Sequence, residues 1–168
     1  MATPTYDLLD SVTLATAASS VTFSSIDQSY GDLILVVTGS RSATGNVGLR
    51  VQFNSDTGNN YHVVKMSGDG STAASSADSP NDYVEGSNSR SFSAVSISTA
   101  TVQIMDYSAT DKHKSTLARS SRADASEGYA YASASRWAST LAVTSLLAYL
   151  ASGSFSVGST LNLYGVAK

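Results

Sequence analysis

Phe155-Ser156-Val157-Gly158-Ser159-Thr160-Leu161-Asn162-Leu163-Tyr164-Gly165-Val166 alternates apolar and small polar residues almost to the last position of the chain. A period of two over such a length describes a strand with one buried face, and it places Phe155, Val157, Leu161 and Leu163 together on that face. The rhythm recurs in Leu33, Leu35 and Val37, in Leu49, Val51 and Phe53, in Val95 and Ile97, and in Val102 and Ile104. One pattern governs most of the chain, so the sequence predicts an all-β protein. Turn formers recur about every ten residues, which describes a single-domain, jelly-roll-like β-sandwich of roughly eight to ten antiparallel strands over residues 1–168.

Between the repeats, Tyr6 to Leu14 and Val21 to Phe23 read as the first two strands, and Ser24 to Gly31 as a corner rich in Asx and Ser. Leu33-Ile34-Leu35-Val36-Val37 is apolar at every position, as expected of a central strand covered on both faces. Gly45-Asn46 reads as a turn opening a hairpin into Val47 to Phe53. Asn54-Ser55-Asp56-Thr57-Gly58-Asn59-Asn60 is the densest cluster of turn formers and precedes a strand at Tyr61 to Met66. Residues 67–90 read as one long polar loop, a contact arm. Ser91 to Ser98 and Thr101 to Ser108 read as a strand pair, Asp111 to Lys114 as a charged tip, and Ser115 to Arg122 and Gly128 to Trp137 as further strands. Ser139 to Ala151 fits a helical face as well, but the turn at Ser152-Gly153-Ser154 favours a strand.

Composition narrows the function. Hydrophobic residues make up 42% of the 168, while charged residues reach only 14%, against roughly 25% in ordinary soluble domains. Ser, Thr, Ala and Gly fill the surface positions instead, a composition suited to packing against copies of itself or another assembly. A net charge of -3 gives no electrostatic footprint for nucleic acid or an anionic membrane. No cysteine is present, which excludes disulfides, thiolate catalysis and Cys-ligated zinc. Met1 to Asp7 lacks the features of a secretory signal and reads as a mature cytosolic start. The most apolar stretch, Leu141 to Ala151, is too short to span a bilayer.

No cluster dictates a chemistry. His62 and His113 each stand alone, without the spacing that sets two ligands on one strand face. Serine abounds, yet no Gly-x-Ser-x-Gly occurs. Asn54, Asp56 and Asn59 could offer oxygen ligands to a hard cation, but the EF-hand pattern is missing and an Asx-stabilised turn accounts for them. Lys112, Lys114, Arg119 and Arg122 are balanced by neighbouring acids and read as a solvated face or as ion pairs between chains. A hydrolase would need two carboxylates converging in a groove, and nothing singles out a pair. Tyr129, Tyr131 and Trp137 fit a protein contact better than a sugar-stacking platform, because such rings bury large area behind a polar tip. Candidate partner contacts are therefore Thr3, Pro4, Thr5 and Tyr6 at the N-terminus, Pro80, Asp82 and Tyr83 in the long loop, and Tyr129, Tyr131 and Trp137.

Tyr6-Asp7-Leu8-Leu9-Asp10-Ser11-Val12-Thr13-Leu14, Ala18 to Ile26, Tyr30-Gly31-Asp32-Leu33, Arg50 to Tyr61 and Thr160-Leu161-Asn162-Leu163-Tyr164-Gly165 together resemble a family of small virion proteins of tailed bacteriophages, common among cyanophages. The resemblance spans both ends and the first third. It implies a non-enzymatic capsid cement or decoration protein without cofactor or metal, a homotrimeric jelly roll seated over capsomer junctions of the major capsid protein. Such a protein is assembled in the host cytoplasm and resides on the capsid exterior. The alternative is a tail or fibre module that binds host surface glycans through Tyr129, Tyr131 and Trp137.

Overall fold

A computed structural model describes residues 4–125 and 127–168; the contact expected at Thr3 lies outside them. The described residues form fourteen strands and no helix. These are β1 (Tyr6–Thr13), β2 (Ser20–Phe23), β3 (Asp32–Gly39), β4 (Asn46–Val47), β5 (Leu49–Phe53), β6 (Tyr61–Gly68) and β7 (Ala73–Asn81), then β8 (Val84–Glu85), β9 (Phe92–Ser93), β10 (Ser98–Met105), β11 (Lys114–Ala123), β12 (Gly128–Trp137), β13 (Leu146–Leu150) and β14 (Thr160–Val166). An eight-stranded sheet in the order β1, β14, β3, β10, β11, β12, β6, β7 packs on a four-stranded sheet in the order β2, β13, β5, β8, and β4 pairs with β9. Every pairing is antiparallel. The molecule is thus an all-β sandwich with two sheets of unequal width.

Alternation sets the inner face. In β3, Leu33, Leu35 and Val37 are fully buried, whereas Ile34 and Val36 are half-buried on the outer side. The strand does take a central place in its sheet, between β14 and β10, but only one of its faces is sealed. Leu161 and Leu163 face the same core, and Phe155 joins it as an isolated bridge to Ala18 and Arg41. Val157 does not share that face. It is 63% exposed, because the backbone turns at Gly158, whose φ of 81° breaks the strand before Thr160.

One continuous core fills the space between the sheets. At one end Phe53, Tyr61 and Trp137 pack ring against ring, Phe53 edge-on to Trp137 at 5.6 Å and Tyr61 stacked on it at 6.3 Å between centroids. At another, Phe92 meets Phe155 edge-on at 6.1 Å. Gly165 leaves room for Tyr30, whose ring carbon would lie 2.4 Å from any Cβ there. From that seat the Tyr30 hydroxyl donates to Asp7 at 3.1 Å, tying the corner before β3 to β1.

Several sequence-based expectations are corrected. Fourteen strands replace eight to ten because short segments such as β4, β8 and β9 patch the ends of the sandwich. Val47 to Phe53 does not form a hairpin with β3, since β3 lies in the large sheet and β5 in the small one. Residues 67–90 are not one loop: β7 and β8 both fall inside them, and β7 forms a hairpin with β6. Its Ala and Ser side chains carry no hydrophobic rhythm, so over Ala73 to Ala77 the backbone ladder shapes it. Residues 91–97 do not pair with β10; within them only Phe92 and Ser93 are strand, and they pair with β4, while Ser98 already opens β10. Within 139–151 only β13 is strand. The residues before it are held irregular by Asn54, whose Oδ1 accepts from the Thr144 and Ser145 amides and whose Nδ2 donates to the Ala142 carbonyl at 2.7 Å.

Candidate functional site

Among the described residues, no other element covers the outer face of the eight-stranded sheet. Register carries one row across all its strands: Leu8 opposite Tyr164, Tyr164 opposite Ile34, Ile34 opposite Gln103, Gln103 opposite Leu117, Leu117 opposite Ala134, Ala134 opposite Val64, and Val64 opposite Ala77. The row holds no charge. Leu8, Leu117 and Val64 are 57%, 52% and 62% exposed, and Met66 in the adjoining row is 62% exposed. The face is dished as well as apolar. Tyr6 from β1 and Met66 from β6, six strand positions apart, border the same hollow of about 590 Å³ with Ile34, Leu117, Ala132 and Ala134. Arg119 brings the only formal charge on the outer side of that hollow. Beside it, Thr13, Thr160, Thr38 and Thr99 occupy consecutive strands in one row.

Large apolar groups left in water mark contact sites, because each gains free energy when a partner displaces its hydration. Tyr6, one of the predicted contacts, belongs to this face, and Pro4 and Thr5 precede it exposed. Asp82 and Tyr83 sit half-buried in the connection between β7 and β8, where Tyr83 lies under the Arg50 guanidinium at 4.0 Å. Pro80 is exposed near the end of β7, after a cis peptide.

The other predicted rings point elsewhere. Trp137 is 1% and Tyr131 4% exposed, so neither can serve as a surface contact or stack on a sugar. Parity decides this: on β12 the positions shared with Ser133 and Ser135 face the core, and Trp137 and Tyr131 fall on that side. Trp137 instead donates its Nε1 proton to Asp56 Oδ2 at 2.7 Å. Tyr129 is half-buried, flanked by the guanidiniums of Arg90 and Arg122 at 5.3 and 5.5 Å from its ring centre. The aromatic platform required by glycan stacking is therefore dismantled.

The polar clusters resolve into structural ties. Asp56 accepts from Trp137, from the Gly58 amide at 2.8 Å and from Asn60, which closes the turn between β5 and β6. Burial raises its pKa, but these hydrogen bonds to the carboxylate outweigh that and leave it below the usual range. Asn54 spends its side chain on the 142–145 backbone. Neither residue is free to ligate a cation, and no group of three or more His, Asp or Glu side chains converges among the described residues. His62 lies beside Ser79, across the β6–β7 hairpin.

The basic residues scatter. Lys114 is fully buried, its ammonium donating to the Lys112 and Thr140 carbonyls at 2.9 and 3.4 Å, and burial depresses its pKa. Arg122, 3% exposed, donates to Glu127 and to Asn46 on the inner side. Lys112 pairs with Asp106 at 3.3 Å. These side chains form no continuous track, because β11 sends Lys114 and Arg122 inward and Arg119 outward.

One cluster escaped the sequence reading. Lys65 on β6 reaches Asp78 on β7 at 2.5 Å and Glu85 on β8 at 2.6 Å, beside a small polar hollow of about 140 Å³ that Tyr131, Asn88 and Ser89 also border. Desolvation lowers the Lys65 pKa, and the two carboxylates more than reverse it, so the amine is held protonated. A protonated amine has no lone pair for nucleophilic attack; the trio binds three strands together. Spacings of 13 and 20 residues carry no motif, and only the hairpin register reveals it.

No family model matches the chain, and no curated protein matches it. A crystal structure of a protein of unknown function, SO2946 from Shewanella oneidensis MR-1, aligns with 99% of this chain and 78% of its own at 12% identity and a TM-score of 0.24, a likeness too slight to speak to fold or function.

Proposed function

We propose that the protein is a non-enzymatic structural subunit that binds a larger assembly, namely a capsid cement protein on the exterior of a tailed-phage head, arranged as homotrimers over junctions of the major capsid protein. The observation that carries the reading is the uncovered, dished outer face of the eight-stranded sheet, whose row from Leu8 to Ala77 holds no charge. A free monomer gains nothing from such a face, whereas a subunit seated on a shell buries it. The resemblance of residues 6–14, 18–26, 30–33, 50–61 and 160–165 to small phage virion proteins supports the same assignment.

The mechanism is mass action. A subunit that binds the assembled shell and not its dissociated parts stabilises each occupied site by about 2.7 kcal/mol when its free concentration is a hundredfold above Kd. Repetition over a shell multiplies that small quantity. Quantitative mass spectrometry of purified particles from a phage encoding this chain tests the assignment. Hundreds of copies per head are expected; a handful of copies confined to the tail, or none, would overturn it.

A further inference from the structure

We infer that β7 is a pairing edge, which joins the same strand of a second copy in an antiparallel ladder and makes the two large sheets continuous. The biological meaning rests on the assembling-subunit reading above, but the contact itself is a property of this chain.

The two edges of the large sheet are built differently. An open edge offers unpaired N–H and C=O groups, and chains that avoid pairing guard it with charge, proline or a bulge. At the β1 edge all but proline are present: Asp7 and Asp10 are charged, and the ladder is broken by a bulge between Leu8 and Asp10. β7 carries its guards only at its far end, in Asp78, Pro80 and a register slip between Asp78 and Asn81, whereas the stretch Ala73-Ala74-Ser75-Ser76-Ala77 before them has no charge, no proline and no bulge. All five residues are exposed although successive side chains point to opposite faces. The strand therefore projects past the small sheet, whose last strand, β8, pairs only through Val84 and Glu85. Hollows of about 580 and 140 Å³ flank it, the first bordered by Met66, Ala73 and Ala130, the second by Lys65 and Ser76.

A second β7 fits this edge. It brings a free edge of equal length, and its small side chains let two backbones approach on both faces. In an antiparallel pair centred on Ser75 or Ser76, Asp78 falls opposite residue 72 or 74 and never opposite its own copy, so no like charges meet. A two-fold axis normal to the sheet keeps the outer faces on one side, and the Val64 and Met66 rows of both copies then run together. Five residues give about 17 Å of edge, which buries much less than the roughly 1,600 Å² of a standing dimer. Pairing is thus weak in dilute solution and effective where an assembly holds neighbouring trimers side by side.

Because the chain has no cysteine, five single variants, Ala73→Cys, Ala74→Cys, Ser75→Cys, Ser76→Cys and Ala77→Cys, report the contact directly. Under mild oxidation at high protein concentration, disulfide dimer is expected to peak at one position and fall several-fold on either side. Uniform cross-linking along the strand, or none, would overturn the inference. The double variant Ser75→Lys with Ala77→Lys places like charges across the two-fold and is expected to keep the monomer's circular dichroism while weakening association at least about tenfold in sedimentation. Undiminished association would also refute it; if that variant fails to fold, the cysteine scan decides alone. Particle copy number separates the two claims: full incorporation of a chain that does not pair sinks the β7 contact and spares the cement reading, and pairing by a chain absent from particles does the reverse.

Discussion

Trp137→Phe isolates the contact that closes the aromatic end of the core. The substitution keeps a ring between Phe53 and Tyr61 but removes the indole proton that reaches Asp56 at 2.7 Å. A hydrogen bond to a charged acceptor contributes about 2 kcal/mol, and the space left by the smaller ring costs about 1 kcal/mol more. Folding stability is therefore expected to drop by about 3 kcal/mol. With a urea dependence of about 2 kcal/mol per molar for a chain of this size, the midpoint moves down by about 1.5 M. Acid dependence should change with it. The Asp56 carboxyl is held low in the fold, so its stabilisation is complete above the unfolded value near 3.8 and is lost as pH falls through the lower folded value. Removing the indole donor raises the folded value toward the unfolded one, and the acid limb of the stability profile becomes shallower. Urea titrations of wild type and variant at several pH values measure both effects, and Asp56→Ala completes a double-mutant cycle. A midpoint within about 0.3 M of wild type, or an acid limb of unchanged slope, would refute the reasoning. Trp137 is the sole tryptophan, so its emission in the wild type reports the same burial and should be blue-shifted and shielded from iodide.

Two further outcomes follow from the packing. Gly165→Ala drives a Cβ into the Tyr30 ring core at 2.4 Å, where no flexible tip can swing aside; a loss of about 3 kcal/mol and a fall in Tm of about 8 °C are expected by calorimetry, and an unchanged Tm would show that Tyr30 leaves its seat freely. Burial raises the pKa of Tyr61 and Tyr131 well above the ordinary value of 10.0. Their contribution is complete below pH 10 and declines above it, so tyrosinate absorbance from these two rings should appear only together with unfolding; early ionisation of all nine tyrosines in the folded protein would contradict their burial.

Period-two alternation made the sandwich legible because each of β3, β10, β12 and β14 keeps one apolar or small face toward a single core. The same alternation also held the parity of β12, from which the inward direction of Trp137 could have been taken. β7 stayed hidden because Ala, Ser and Asp give no hydrophobic rhythm; its pairing with β6 rests on backbone hydrogen bonds that side chains do not announce. The 138–145 segment misled for the opposite reason. Its residues are apolar enough for a strand, but Asn54, more than eighty positions earlier, captures their amides. Leu117 and Val64 were visible as apolar residues, yet their alignment into one row depends on a register that no single strand contains.

The placement of β14 bears on when this fold can come into being. β1 has no sheet neighbour other than β14 among the described residues, and β14 itself fills the slot between β1 and β3. β1, the first of these strands to be synthesised, therefore stays without a sheet partner until residues 160–166 follow, and until then the core is missing Leu161 and Leu163. Pairings that distant in the chain are slow to form. Until the last strand is in place, the large sheet is therefore open between β1 and β3, and its outer face is incomplete.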